Sequence, residues 1–273
     1  MAYPTIDAPY GLKPINLIGG QVFAGSTREL PITYGYATNI FYGDLVTLIR
    51  GNLERITVTT GLVGTLIGVF LGCSYTNPTT KQKLFGQYWP ASTAAGDAVA
   101  IVCDDPDTVF RAVMVSGTTV VASGARAMIG QNLAAVNNTG NVNTGNSANA
   151  VLADTTLALT AALPIRVVGL VPDTAVSVGT ATYTSISTAT VTMSGLTGTP
   201  MVGCDVGSIA ANGQYIASGS YVASLTNSTT VVLNAAPLVA FVGSSTLVFT
   251  QYPEVLVKIN FGLHKYYAGT AVA

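Results

Sequence analysis

Few residues in this chain have the type and spacing that chemistry requires. Asp104, Asp105 and Asp107 form one acidic knot around Pro106. A calcium site needs six to eight oxygen ligands, and no Glu follows at loop spacing. Asp-Pro-Asp is itself good turn chemistry, so an exposed turn is the expectation. His264 is the single histidine. An acyl-transfer triad would have to use it, but no Gly-x-Ser-x-Gly elbow presents a serine. The sequence Gly262-Leu263-His264-Lys265-Tyr266 reads as a polar tail after a final strand, which predicts a surface or interface histidine. Cys73, Cys103 and Cys204 have no Cys-x-x-Cys spacing and read as three reduced, buried small hydrophobes. No lysine is followed by Ser or Thr, so there is no phosphate-binding loop. No pair of acids is singled out for glycoside hydrolysis. The expectation is a protein with no catalytic residues, no cofactor and no metal.

The side chains left over are those that make contacts. Tyr34, Tyr36, Phe41 and Tyr42 cluster early, Tyr88 and Trp89 lie mid-chain, and Tyr266 and Tyr267 come late. Tyr, Trp and Arg anchor interfaces, and aromatic rings also fill cores. The candidate partner contacts are Tyr10, Lys13, Arg28, Tyr42, Trp89 and Tyr266. The basic residues are scattered, with Lys81 and Lys83 the closest pair, and the formal net charge is −1. Neither nucleic acid nor an anionic membrane is therefore an expected partner. A net charge near zero removes self-repulsion, so self-association as a dimer or trimer is expected.

The elements that must position these residues read as strands. Only 8% of the chain is charged, against about one-quarter in an ordinary soluble domain. Between residues 127 and 253 the charges are Asp154, Arg166, Asp173 and Asp205 alone. Short β-branched and apolar runs separated by Gly, Pro and Asn predict an all-β fold, a barrel or sandwich with little helix. The run GLVGTLIGVFLGC, residues 61–73, is shorter than the about 18–20 apolar residues of a spanning helix. It predicts strand–turn–strand, and the Gly64/Gly68 spacing means little outside an apolar helix. No basic flank precedes an apolar run at the N-terminus, so no signal peptide is expected. One short helix is predicted over residues 126–136, where Ile129, Leu133 and Val136 share a face. The Asn/Gly/Thr tract that follows, residues 137–149, predicts a loop that is mobile or ordered by a partner.

At Val171-Pro172-Asp173 the composition changes. Before this point strands are expected at residues 155–159 and 165–171; from there to Pro253 the chain is Thr, Ser, Val, Ala and Gly in two-residue alternation, with strands expected at residues 180–185, 188–193, 215–225, 229–233 and 245–250. Asn212-Gly213 and Asn227-Ser228 mark hairpin turns. After Pro253 a charged alternating strand, EVLVKIN, returns to the earlier style. The expected organisation is a discontinuous core domain, residues 1–174 with 253–273, carrying an inserted small β-sandwich-like module over residues 175–252.

An ordered set of landmarks carries a resemblance. It begins with Tyr10-Gly11-Leu12-Lys13-Pro14-Ile15, Gly19-Gly20 and Ala24-Gly25-Ser26-Thr27-Arg28. It continues through Ile40-Phe41-Tyr42-Gly43-Asp44-Leu45-Val46, Gly68-Val69-Phe70-Leu71-Gly72 and Tyr88-Trp89-Pro90-Ala91-Ser92. It closes with Asp104-Asp105-Pro106-Asp107, Val168-Gly169-Leu170 and Leu256-Val257-Lys258-Ile259-Asn260. The set resembles the head decoration, or cement, proteins of tailed bacteriophages, over about residues 10–173 and 254–265. Members of that family join the two flanks by a short turn, and this chain departs from them by the inserted module. The resemblance implies a non-enzymatic virion protein, made in the host cytoplasm and bound to the outer surface of the head. There it would bridge subunits of the major capsid protein. The alternative from the charge-poor module is a phage tail or fibre component, or a glycan-binding surface protein.

Overall fold

A computed structural model describes residues 6–57, 66–153, 163–186, 188–209, 215–238 and 240–267. The predicted strand at 155–159 and the Asn212-Gly213 turn lie outside these. The fold is all-β, with short 3-10 turns at Arg126–Met128, Pro172–Thr174 and Phe261–Leu263. In chain order the first strands are β1 (Lys13–Leu17), β2 (Arg28–Pro31), β3 (Ile40–Phe41), β4 (Leu45–Ile49) and β5 (Asn52–Arg55). Then come β6 (Leu66–Thr76), β7 (Lys83–Gly86), β8 (Tyr88–Trp89), β9 (Val99–Cys103) and β10 (Thr108–Val115). The short strands β11 (Asn132–Leu133), β12 (Ala135–Val136) and β13 (Ala150–Leu152) precede β14 (Ile165–Leu170). Next are β15 (Val176–Ile186), β16 (Thr190–Ser194), β17 (Asp205–Ile209), β18 (Val222–Asn227), β19 (Thr230–Leu233) and β20 (Phe241–Gln251). The last is β21 (Glu254–Ile259).

Two sheets share the first core. One runs β11-β14-β21-β10-β13-β12 with β1 on β10, and the other runs β2-β9-β6-β4-β5 with β7 on β6. Leu45, Leu66, Val69 and Cys103 of the second sheet pack on Phe110, Met114, Val167 and Val257 of the first. On its other side the second sheet holds a second core of Ile32, Val46, Phe70, Trp89 and Val102. β6 therefore has apolar neighbours on both faces, which is why its sequence is a nearly unbroken apolar run. A Cβ at Gly68 would lie 2.1 Å from the Cys103 carbonyl oxygen, so this glycine lets β6 and β9 approach.

β14 and β21 pair antiparallel, from Ile165 opposite Ile259 to Leu170 opposite Val255. The chain leaves this hairpin at Val171, whose N–H donates to Glu254 O at 3.2 Å. All strands between them join a third sheet, β17-β20-β15-β16-β19-β18, antiparallel throughout. Its outer strands come together: Val222 N donates to Cys204 O at 3.0 Å, Gly203 N to Val222 O at 2.7 Å and Val206 N to Ser220 O at 2.9 Å. The module, expected to be sandwich-like, is thus one nearly closed, barrel-like sheet, in keeping with an all-β barrel or sandwich fold. Closure protects the edge strands that a charge-poor sheet would otherwise expose. In β16 Val191 and Met193 point inward and the Thr and Ser residues outward. The expected strand over 215–225 begins only at Val222, and β17 escaped prediction because Gly207 and Ser208 dilute its pattern.

The lone charge of that sheet faces the rest of the protein. Asp205 accepts from Arg126 Nε and Nη2 at 2.7 and 2.9 Å and from the Tyr252 hydroxyl at 2.6 Å. Ala125 packs in the core of the third sheet. These contacts also overturn the predicted helix at 126–136. Gly130 takes φ +85°, a left-handed conformation that ends a helix, and its N–H donates to Val167 O. The residues beyond it pair as β11 with β14 and β12 with β13.

The Asn-rich tract, expected to be mobile or ordered by a partner, is tied down by hydrogen bonds from within the chain. Asp44, fully buried, pairs with Arg55 Nε at 2.8 Å and accepts from Phe41 N and Ser147 Oγ at 2.9 and 2.6 Å. Arg55 Nη2 donates to Asn138 O at 2.6 Å, while Asn149 Oδ1 accepts from Asn138 N at 3.1 Å. Asn138 Nδ2 donates to Thr118 O and Ala148 O. Amides replace an apolar face as the means of fixing the loop.

Candidate interaction face

The residues after β21 build the most distinctive exposed surface. Asn260 starts a 3-10 turn, and Lys265 N then donates to Leu66 O at 2.6 Å, laying residues 261–267 beside β6. His264 points inward and is fully buried, which corrects its assignment to the surface. Its Nδ1 accepts from Tyr266 N at 3.3 Å, so the neutral ring carries its proton on Nε2. Burial pushes the imidazole pKa down, opposed by the backbone of Asp104 and Ile67 and by the Asp104 charge. With His264 as the inward peg, Phe261, Tyr266 and Tyr267 turn outward.

These rings form a ridge. Tyr267 stacks on Phe261 with centroids 4.1 Å apart, and His264 lies 5.1 Å from Tyr266 and 5.9 Å from Tyr267. The Arg28 guanidinium sits 5.3 Å from the Tyr266 ring centroid and pairs with Asp104 at 3.0 Å. The Tyr266 hydroxyl donates to the same carboxylate. Burial, then this hydrogen bond and the Asp104 charge, push the phenol up to about 12. Asp104 thereby orients both the cation and the ring. Ile18, exposed beyond Phe261, extends the apolar surface. Aromatic rings beside an accessible arginine have the composition of a binding hot spot.

Among the sequence candidates, Arg28 and Tyr266 are thus brought together. Tyr10 and Lys13 form a second pair, with Lys13 Nζ 4.2 Å from the Tyr10 ring centroid. The Tyr10 hydroxyl donates to Glu254, which Arg111 also grips. Burial, then the Glu254 hydrogen bond and charge, raise the Tyr10 phenol pKa. Tyr42 is half-buried and tied by its backbone to Gly145 and Ser147 of the Asn-rich tract. Trp89 is a correction: its indole is 0% exposed, meets Tyr75 edge-on at 5.3 Å and donates to Tyr36 O at 3.4 Å. No partner can reach it. Cys73, Cys103 and Cys204 are buried free thiols, and burial pushes the first and last up to about 12.

The candidate contacts drawn from the sequence omit Ile18, Phe261 and Tyr267, which the structure leaves exposed. The signal for the last two was present, since Phe261 and Tyr267 sit either side of a lone histidine in a chain end rich in rings. Among the described residues no helix is long and apolar enough to cross a membrane. A scan against protein-family models and searches of curated proteins and solved structures return no match.

Proposed function

We propose that this is a structural virion protein that decorates a phage head, bridging major capsid subunits from the outer surface and stabilising the shell. The observation that carries the reading is the exposed ridge of Phe261, Tyr266 and Tyr267 under Arg28, of which Arg28 closes one family-like landmark and the rings follow directly after another. Part of such a ridge fits the centre of a standard interface, which buries about 800 Å² per partner. Repetition on a lattice then multiplies modest contacts through effective concentration. The roles assigned to these residues are binding roles, and no catalytic role is assigned.

Quantitative mass spectrometry of intact and tail-less particles tests the assignment. Hundreds of copies retained on heads support decoration, and a handful of copies lost with the tails would sink it in favour of a tail or fibre role. At the residue level, Tyr266→Ala with Phe261→Ala weakens binding to undecorated shells in co-sedimentation, while Trp89→Phe leaves shell binding by the folded protein unchanged.

A further inference from the structure

We infer that a depression beside the ridge receives one carboxylate side chain, Asp or Glu, from an apolar segment of a partner polypeptide. Resting on the docking reading above, this names the chemistry of the partner. The register of β14 and β21 sets Arg166 directly opposite Lys258. Like charges at facing positions of an antiparallel pair repel. Both line one cavity of about 190 Å³, together with Asn260, Ile18, Val168 and Phe261. The cavity therefore gathers two cations among apolar groups, beside Asn260, whose Nδ2 donates to Leu163 O at 2.9 Å.

The cations are incompletely neutralised from within. Arg166 Nε donates to Asn132 Oδ1 at 2.9 Å, a neutral acceptor that fixes the guanidinium plane. Among the described residues no carboxylate forms an ion pair with Arg166. Lys258 does have a partner, Asp107 at 3.2 Å, but that carboxylate side chain is 62% exposed and does not line the cavity. An incoming carboxylate meets a planar fork and a point charge, the geometry that charge-assisted hydrogen bonds favour.

Size and surroundings select the ligand. Drug-sized ligands occupy cavities of about 300–1,000 Å³, so 190 Å³ suits a single side chain. A free small anion would leave the exposed Ile18 and Phe261 uncovered, along with Tyr267 stacked on the latter. A peptide bearing apolar residues on each side of its acid covers them.

The test is an NMR titration of the full chain with the blocked tripeptide Leu-Glu-Phe, its Leu-Gln-Phe counterpart and sodium phosphate. The Glu peptide is expected to shift the Arg166 Nε and Asn260 side-chain resonances saturably. It should bind at least about tenfold more tightly than the Gln peptide, as a charged hydrogen-bonding partner does. Arg166→Gln should erase that difference, and Lys258→Met is the second variant should the first not fold. Equal binding of the two peptides, or no shift with either, overturns the inference. Phosphate binding as tightly as the Glu peptide also overturns it, in favour of a small-anion site. Shell co-sedimentation separates the two levels. If the Glu peptide binds and shells do not, decoration fails and the carboxylate site stands. If folded Arg166→Gln sediments with shells as wild type does, the site's role in docking falls and decoration stands.

Discussion

Arg55 and Asp44 meet inside the parent sheets, and each is held by other groups as well as by its partner. Burial pushes the Asp44 carboxyl pKa upward, opposed by Arg55, Ser147 and the Phe41 N–H. Removing the guanidinium leaves an uncompensated buried carboxylate and frees the Asn-rich tract. Arg55→Met is expected to lower stability by about 3–5 kcal/mol at pH 7. Protonating Asp44 removes the stranded charge, so the loss shrinks toward acidic pH; urea unfolding at pH 7 and 4.5 checks both. His264 has the opposite lesson. Its folded pKa lies below the free value, so the unfolded chain binds more protons between the two. Stability is complete above about pH 6.5 and falls as pH drops through the folded value. Thermal unfolding from pH 8 to 5 should show this slope in the wild type and a flatter one in His264→Gln.

Gly68 shows how an element can be misjudged from spacing. Gly64 and Gly68 have the spacing of a helix-packing pair, yet Gly68 lies in β6, where its bare Cα accommodates the Cys103 carbonyl. Gly68→Ala forces β6 and β9 apart and is expected to cost about 1–3 kcal/mol, read from the denaturation midpoint. Gly96→Ala is the control, because a Cβ there meets nothing within 4 Å. The strand tally follows the same logic. Alternation in Thr190–Ser194 was legible because one face is buried and the other wet. The two-residue strands β11 and β12 were not, because Gln131, Asn132 and Ala134 give them no period of their own. Their pairing with β14 and β13 supplies the order that local sequence lacks.

At the scale of the whole molecule, β15–β20 pair only with one another, while the chain on either side closes as the β14–β21 hairpin. Deleting residues 175–252 and joining the flanks by a short Asn-Gly turn is expected to leave a folded protein, because Val171 and Glu254 already share a hydrogen bond. The deletion removes the partly exposed Arg126–Asp205 pair, together with the backbone hydrogen bonds of Gly124 to Tyr252 and of Arg126 to Gly203 and the Ser123–Gln251 contact. It also uncovers Ala125. Circular dichroism, a dispersed amide NMR spectrum and shell co-sedimentation measure the outcome. Loss of the fold would falsify the insertion reading, and loss of shell binding by a folded deletion variant would move docking onto the module.

Composition, turn residues and two-residue periodicity were enough to determine an all-β chain and the change of style at Val171 and Pro253. These properties reside in neighbouring residues, so they can be read locally. Which rings are core and which are exposed depended on tertiary structure: Trp89 went inside, Tyr266 outside, and His264 beneath Tyr266. The Asn-rich tract gained its order from Asp44 and Arg55, far earlier in the chain. Arg166 and Lys258 became a pair only through strand register. Local alternation says which residues share a face, but only long-range pairing says which strand lies opposite, and that choice positions the candidate site.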